Sequence, residues 1–263
     1  MSDNSFSDKR FLLLAKQALR LNKKLIGAAL AGVAGTIFVA LLLFQALSNF
    51  RNWQQAEYFV TFIIFFLLLG IIYACLSFPA FRSKARSIDF LMLPASTLEK
   101  FIFEFIVRIV AFVVLMPVIF WIVANLEAAI VHHYVPKLPD SDFSFSEGWA
   151  DLTNNIRISG WQKFMIVQAC FLVLIGAFAG SVHFSRSPLI KTLFAFSLVL
   201  VAYILYAYLL FKGLDLENFE PENERVLFIH NEKQATVFFA IAALIVNMSL
   251  IAMSWFRLKE KEA

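Results

Sequence analysis

Several groupings of side chains in this sequence carry atoms suited to chemistry. His132 and His133 are adjacent, with Asp140 and Asp142 a few residues on, a set of metal-ligating types. Neighbours on a helix point about 100° apart, however, so adjacency is poor ligand spacing and no metal site is expected. Ser181 and His183 combine a hydroxyl with a base. Two positions apart on one helix they face away from each other, so no hydrolase is expected. Glu104 and Arg108 stand at i and i+4 with the acid first, the favourable order for a helical ion pair. Cys75 and Cys170 both fall in apolar stretches, which suits packing and neither a disulfide nor a zinc site. The chain lacks the Gly-x-x-x-x-Gly-Lys-Ser/Thr loop that cradles phosphates. No catalytic residue, resident cofactor or metal is expected, and any ATP driving this protein would be held by a second polypeptide.

The elements that must position these residues are apolar. Hydrophobic residues make up 60% of the 263 positions and charged residues 16%, against roughly 45–50% and about 25% in soluble globular chains. Six stretches are each long enough to cross roughly 30 Å of hydrocarbon: 25–47, 58–78, 101–124, 164–184, 189–211 and 235–256. The predicted fold class is an all-α membrane protein of six transmembrane helices. The first stretch is too long for a signal-peptide core and no small-x-small cleavage site follows it, so it reads as an uncleaved anchor. Arg108 lies in the third stretch, about 10 Å from its start, and two readings stay open. Either it snorkels out paired to Glu104, or the pair braces the preceding loop against the helix.

Lysine and arginine set the orientation. With the N-terminus inside, fifteen of the 23 fall in inner segments, seven in outer segments, and Arg108 within a span. Both termini are therefore expected in the cytoplasm. The basic residues follow the membrane rule, so the net charge of +4 does not imply nucleic acid. Residues 1–24 form the first predicted region, holding an amphipathic interfacial helix. Phe11, Leu14, Ala18, Leu21 and Leu25 share one face and Lys9, Lys16, Arg20 and Lys23 the other, with Leu13 the exception. Such a helix is expected against anionic lipid headgroups. Membrane anchoring accounts for it alone, and docking of an ATPase or partner would be an addition. The six-helix region spans 25–256 and a cytoplasmic tail 257–263.

The inner loop 79–100 is the most informative stretch. Pro79 ends the second span. Ser87-Ile88-Asp89-Phe90-Leu91-Met92-Leu93 places Ile88, Leu91 and Met92 on one face of a short helix that Pro94 terminates. Ser96 followed by Glu99 predicts a capping box opening the third helix.

Arg86-Ser87-Ile88-Asp89-Phe90-Leu91-Met92-Leu93-Pro94 followed by Ser96-Thr97-Leu98-Glu99-Lys100 resembles the coupling region of type-2 ABC transporter permeases. The order of parts is also similar: a basic interfacial helix, six spans, both ends inside, and an outer segment at 212–234 where that family often has a re-entrant helix pair. The resemblance implies a permease subunit, coupled through the loop between helices 2 and 3 to a separate cytoplasmic ATP-binding subunit. It implies that Arg86, Ile88, Asp89, Leu91, Leu93, Ser96 and Glu99 form the coupling element. It further implies a homo- or heterodimer of permease subunits whose interface uses spans 1, 2 and 5, in a bacterial inner membrane.

The outer loop 125–162 is longer than that family usually has. Its acids (Glu127, Asp140, Asp142, Glu147, Asp151) and tryptophans (Trp149, Trp161) predict a folded cap with at least one short helix. The alternative function is a non-transporting scaffold that binds a partner through this loop. An ion-coupled carrier lacks support, because the spans hold almost no midplane carboxylates and no pair of interrupted helices. Gly176-x-x-x-Gly180, Ala28/Gly32 and Ala31/Gly35 permit close helix approach, for packing or for a subunit interface. Tyr203, Tyr206 and Tyr208 read as an outer aromatic belt or as the lining of a substrate path.

Overall fold

A computed structural model describes residues 7–48, 53–82, 95–134, 142–155, 160–184, 187–213 and 232–262. Every regular element among them is helical. Helix α1 covers Asp8–Leu47, α2 Gln55–Cys75, and a 3-10 turn Pro79–Arg82 follows. Helix α3 (Thr97–Phe105) continues through a π turn (Ile106–Val110) into α4 (Ala111–Tyr134). Then come α5 (Phe145–Asn155), α6 (Gly160–His183), α7 (Pro188–Gly213) and α8 (Glu232–Glu262).

Among the described residues, five helical columns are long and apolar enough to cross a membrane: α1, α2, α3–α4, α6 and α8. Apolar residues on their outer faces are exposed, as Phe238, Ile241, Ile245 and Met248 show on α8. In water such a surface would drive aggregation; in a bilayer it is solvated. This is an all-α membrane protein. The fifth predicted stretch, 189–211, falls in α7, whose apolar part among the described residues is the shorter Pro188–Ala202.

One boundary differs from expectation. The amphipathic segment ending at residue 24 and the span starting at residue 25 form a single unbroken helix of 40 residues, about 60 Å long. That is twice the hydrocarbon thickness. No proline interrupts α1, and its first glycine, Gly27, lies beyond the expected junction, so nothing in the backbone chemistry ends one helix and begins another.

The chain divides into two compact units. The first, Met1–Gly70 with Leu91–Ile158, holds α1, most of α2, α3–α4 and α5. Its core is aromatic. Phe59, Phe120 and Phe143 are buried, with Phe62, Phe66, Phe112, Phe145 and Trp149 packed around them. Ring pairs run from Phe66–Phe112 at 5.3 Å through Phe62–Phe120 at 5.3 Å to Phe143–Phe145 at 4.9 Å. Each such pair adds about 0.5–1.5 kcal/mol beyond its area. Pro117 sits inside α4 about two turns beyond the π turn. A proline there cannot donate to the ladder, and π turns likewise break regular i→i−4 bonding.

The second unit, mainly Ile71–Phe90 and Ser159–Lys261, is built around α6. Phe78 ends α2's run with a left-handed φ of 49°, held by packing of its buried ring on Phe178 at 5.6 Å. Asn247 of α8 donates to the Gln168 side chain of α6 at 2.8 Å. Lys261 donates to the Val182 carbonyl, where the negative end of the α6 dipole favours a cation.

The Gly176-x-x-x-Gly180 stripe of α6 faces α7 of the same chain. A Cβ on Gly180 would collide with Thr192, its Oγ1 first and then Cγ2 at 2.8 Å and Cβ at 3.0 Å. At Gly176 it would meet only the ring edge of Phe196, at 2.8 Å. Gly180→Ala is therefore expected to lower stability by about 1–3 kcal/mol, and Gly176→Ala by less, since the Phe196 ring can swing aside. Gly27→Ala is the uncrowded control, with nothing within 4 Å of its Cβ, and is expected to lose no stability and to gain up to about 1 kcal/mol from helix propensity. Thermal unfolding in detergent measures all three, and equal losses at Gly180 and Gly27 would refute the contact.

Candidate functional site

At one end of the first unit, the predicted capping box is present. The Glu99 amide donates to Ser96 Oγ at 3.2 Å and the Ser96 amide to Glu99 Oε2 at 2.9 Å. The local sequence dictates this much, because Ser and Glu three apart satisfy each other's orphan donors. The carboxylate also reaches across the fold. Glu99 Oε1 accepts from the Ser7 amide at 2.8 Å and lies 3.2 Å from the Arg10 guanidinium. Glu99 is fully buried, and the Phe11 and Phe103 rings meet edge-on at 6.4 Å beside it. The first turn of α1 is thus latched to the first turn of α3.

Glu104 and Arg108 come together as predicted, with Arg108 Nε 3.4 Å from Glu104 Oε2. Their side chains are only 13% and 20% exposed, so the pair is tucked in at the junction of α3 and the π turn. Arg86, Ile88, Asp89, Leu91 and Leu93 lie outside the described residues, as do the segment 214–231, Lys137 and Asp140.

At the other end of the same unit, α5 is the short helix predicted for the cap, and it is built into the core. The Gln55 side chain donates to the Asp142 carbonyl at 2.7 Å and accepts from the Ser144 amide at 3.0 Å. Asn125 does the same for the Phe143 amide, at 2.8 Å, and the Phe143 carbonyl, at 3.3 Å. A Cβ on Gly148 would stand 3.0 Å from both the Gln55 carbonyl oxygen and Phe59 Cβ, so α5 approaches α2 as closely as glycine allows. An open apolar cleft of about 440 Å³ lies nearby, lined by Phe44, Ser48, Trp53, Ala56, Glu57, Val60 and Thr61.

A polar chain crosses this end of the core. Gln45 Nε2 donates to the Tyr58 hydroxyl at 2.8 Å, and that hydroxyl donates to Glu127 Oε2 at 3.1 Å. All three residues are buried, and they come from α1, α2 and α4. Glu127 is thus a core residue and not the loop acid that hydropathy predicts. Its place in the core has a sequence signal, since Met116, Phe120, Val123, Ala124 and Val131 recur at three- and four-residue steps and Glu127 continues that stripe.

The remaining candidates are scattered. His132 and His133 end α4, where the His133 ring stands against Tyr134 at 5.4 Å. Buried Ser181 donates to the Phe178 carbonyl at 2.6 Å, while His183 is exposed beside Phe184. Cys75 is buried with its thiol 3.8 Å from the Ala177 carbonyl, and Cys170 is partly buried. No three His, Cys, Asp or Glu side chains among the described residues gather to hold a metal. Tyr208 is exposed, and the side chains of Tyr203 and Tyr206 lie outside the described residues. A Cβ added to Gly32 or Gly35 of α1 would meet nothing within 4 Å, unlike one on the α6 stripe. Comparison with family models, with curated proteins and with solved structures finds no match for this chain.

Proposed function

We propose that this chain is the transmembrane permease subunit of an ATP-driven exporter. In this reading it has six spans, both termini in the cytoplasm of a bacterial inner membrane, and a second permease copy or homologue as partner. A separate cytoplasmic ATP-binding subunit docks on the loop between α2 and α3. The observation that carries the reading is the Arg86–Lys100 motif, which ends in a capping box whose buried Glu99 is itself tied to α1. A push on the Ile88–Leu93 segment would pass through the Ser96 cap into α3. The latch would carry it to α1, and the Glu104–Arg108 pair would brace the turn beyond.

The test is co-purification. The full chain, extracted in mild detergent from membranes of the organism that makes it, is expected to bring down an ATP-hydrolysing polypeptide. Leu93→Asp is expected to reduce that recovery at least about tenfold, since a carboxylate in an apolar docking contact costs several kcal/mol unless paired. Its yield in the membrane should be unchanged. Full recovery of the ATPase with the variant would remove this loop as the docking element, and repeated absence of any ATPase with the parent would remove the function.

A further inference from the structure

Glu127 is a carboxyl group in the core with too few donors for a charge. One oxygen, Oε2, accepts from the Tyr58 hydroxyl. The other, Oε1, is buried and has no hydrogen-bond partner, and the same is true of Gln45 Oε1 at the far end of the chain. The rings of Trp53 and Phe143 close on Tyr58, at 5.1 Å and 5.6 Å. Among the described residues no lysine, arginine or histidine pairs with Glu127.

Among the described residues, the charged and titratable groups on the surrounding elements do not pair a cation with it. They are Glu57 and Tyr58 on α2, His132, His133 and Tyr134 further along α4, and the acids Asp142, Glu147 and Asp151 around α5. α1 offers no titratable side chain between Lys24 and Gln45. An ionised carboxylate with a single neutral donor in an apolar shell is costly, and such groups neutralise instead.

The geometry points to Glu127 as a proton-binding site, taking one proton from water onto Oε1 and sitting in the folded protein as a neutral acid. No larger cation suits a group that is 0% exposed and whose one hydrogen-bond partner, Tyr58, is itself closed in by the Trp53 and Phe143 rings. The proton removes the charge and leaves Oε2 free to accept from Tyr58 as a carbonyl oxygen. Without it the chain runs from the Gln45 amide through the Tyr58 hydroxyl to the carboxylate, as the heavy atoms are assigned. If the proton moves to Oε2 the chain can run the other way, the acid donating to Tyr58 and Tyr58 to the carbonyl of a turned-over Gln45 amide, because the two ends of an amide are interchangeable in shape. The three members belong to three helices, so the proton's position sets the polarity of the link between α1, α2 and α4.

The test is infrared spectroscopy of the full chain in lipid nanodiscs at neutral pH. The difference between parent and Glu127→Gln is expected to show loss of a protonated-carboxyl C=O stretch. Tyr58→Phe is expected to shift that band, having removed the hydrogen bond to it. Glu127→Gln should unfold within about 4 °C of the parent, because the amide is shaped like the neutral acid and carries no charge. Loss of an ionised-carboxylate band instead, a larger fall in unfolding temperature, or failure of Glu127→Gln to accumulate would each overturn the assignment.

Discussion

Glu99→Leu is expected to cost about 3–5 kcal/mol of folding stability and to free the first turns of α1. The carboxylate is fully buried and serves three donors from two distant parts of the chain: the Ser96 amide, the Ser7 amide and the Arg10 guanidinium. Leucine of similar bulk restores none of them. The two part-buried amides lose their acceptor, and since a fully buried unsatisfied donor costs about 1–3 kcal/mol, each contributes toward the lower end of that range. Arg10 is 38% exposed and can regain water, so it adds the smaller share. Arg10→Leu is expected to be harmful for the opposite reason, since it leaves a fully buried carboxylate without its cation. A double-mutant cycle should therefore give a coupling of about 1–3 kcal/mol between the two positions. Thermal unfolding in detergent and protease cleavage within residues 8–24 read the effects. Glu99→Leu within about 1 kcal/mol of the parent, with α1 still protected, would show that the latch does not hold.

The latch also bears on how a push at the loop between α2 and α3 would spread. Residues 19–32 of α1 are exposed on every side within this chain, although Leu25, Ile26 and Leu30 are among them. α1 is therefore held near its ends, at α3 through Arg10 and Phe11, and in the aromatic core shared with α2 and α4 through Ile37, Leu41 and Gln45. A helix held at both ends moves with what holds it. In the permease reading, displacement of Ser96 and Glu99 would shift α1 as well as α3.

What the sequence revealed and what it concealed divide by range. The apolar columns, the Ser96–Glu99 capping box and the Glu104–Arg108 pair are interactions within one or two helical turns, and local spacing encodes them. The Glu99 partners Ser7 and Arg10 lie some ninety residues away, and no periodicity links them. The continuity of α1 was hidden by its own charges. The switch from basic to apolar composition at Lys24–Leu25 marks where the surroundings change, whereas a helix ends only where backbone chemistry ends it. Glu127 was concealed by hydropathy, which stopped the third span at Ala124, while the helix runs on to Tyr134 with its buried face unbroken. The 3–4 spacing of its neighbours was the better guide there.

That same extension changes what deleting the segment between α4 and α6 should do. A separable cap would leave the helices intact when removed. Here Phe143 is 1% exposed and stands against Tyr58, Phe120 and Phe145, while Trp149 packs on Phe59 at 5.5 Å. Gln55 and Asn125 each hold the backbone of 142–144 with two hydrogen bonds. Removing this segment uncovers the aromatic core and strands those amides together with the buried Gln45–Tyr58–Glu127 chain. Phe143→Ala alone is expected to cost about 3–5 kcal/mol. Replacing 136–158 with a Gly/Ser linker is expected to exceed about 5 kcal/mol, beyond what a marginally stable unit survives. Alanine at Glu147, on the exposed side of α5, should be neutral within about 0.5 kcal/mol. Yield in the membrane and unfolding temperature in detergent decide the matter. A linker variant that accumulates and unfolds like the parent would make the cap an added module, available to a partner on the outer side. Loss of folding makes it the lid of the aromatic core, and the scaffold reading then loses the free arm it requires.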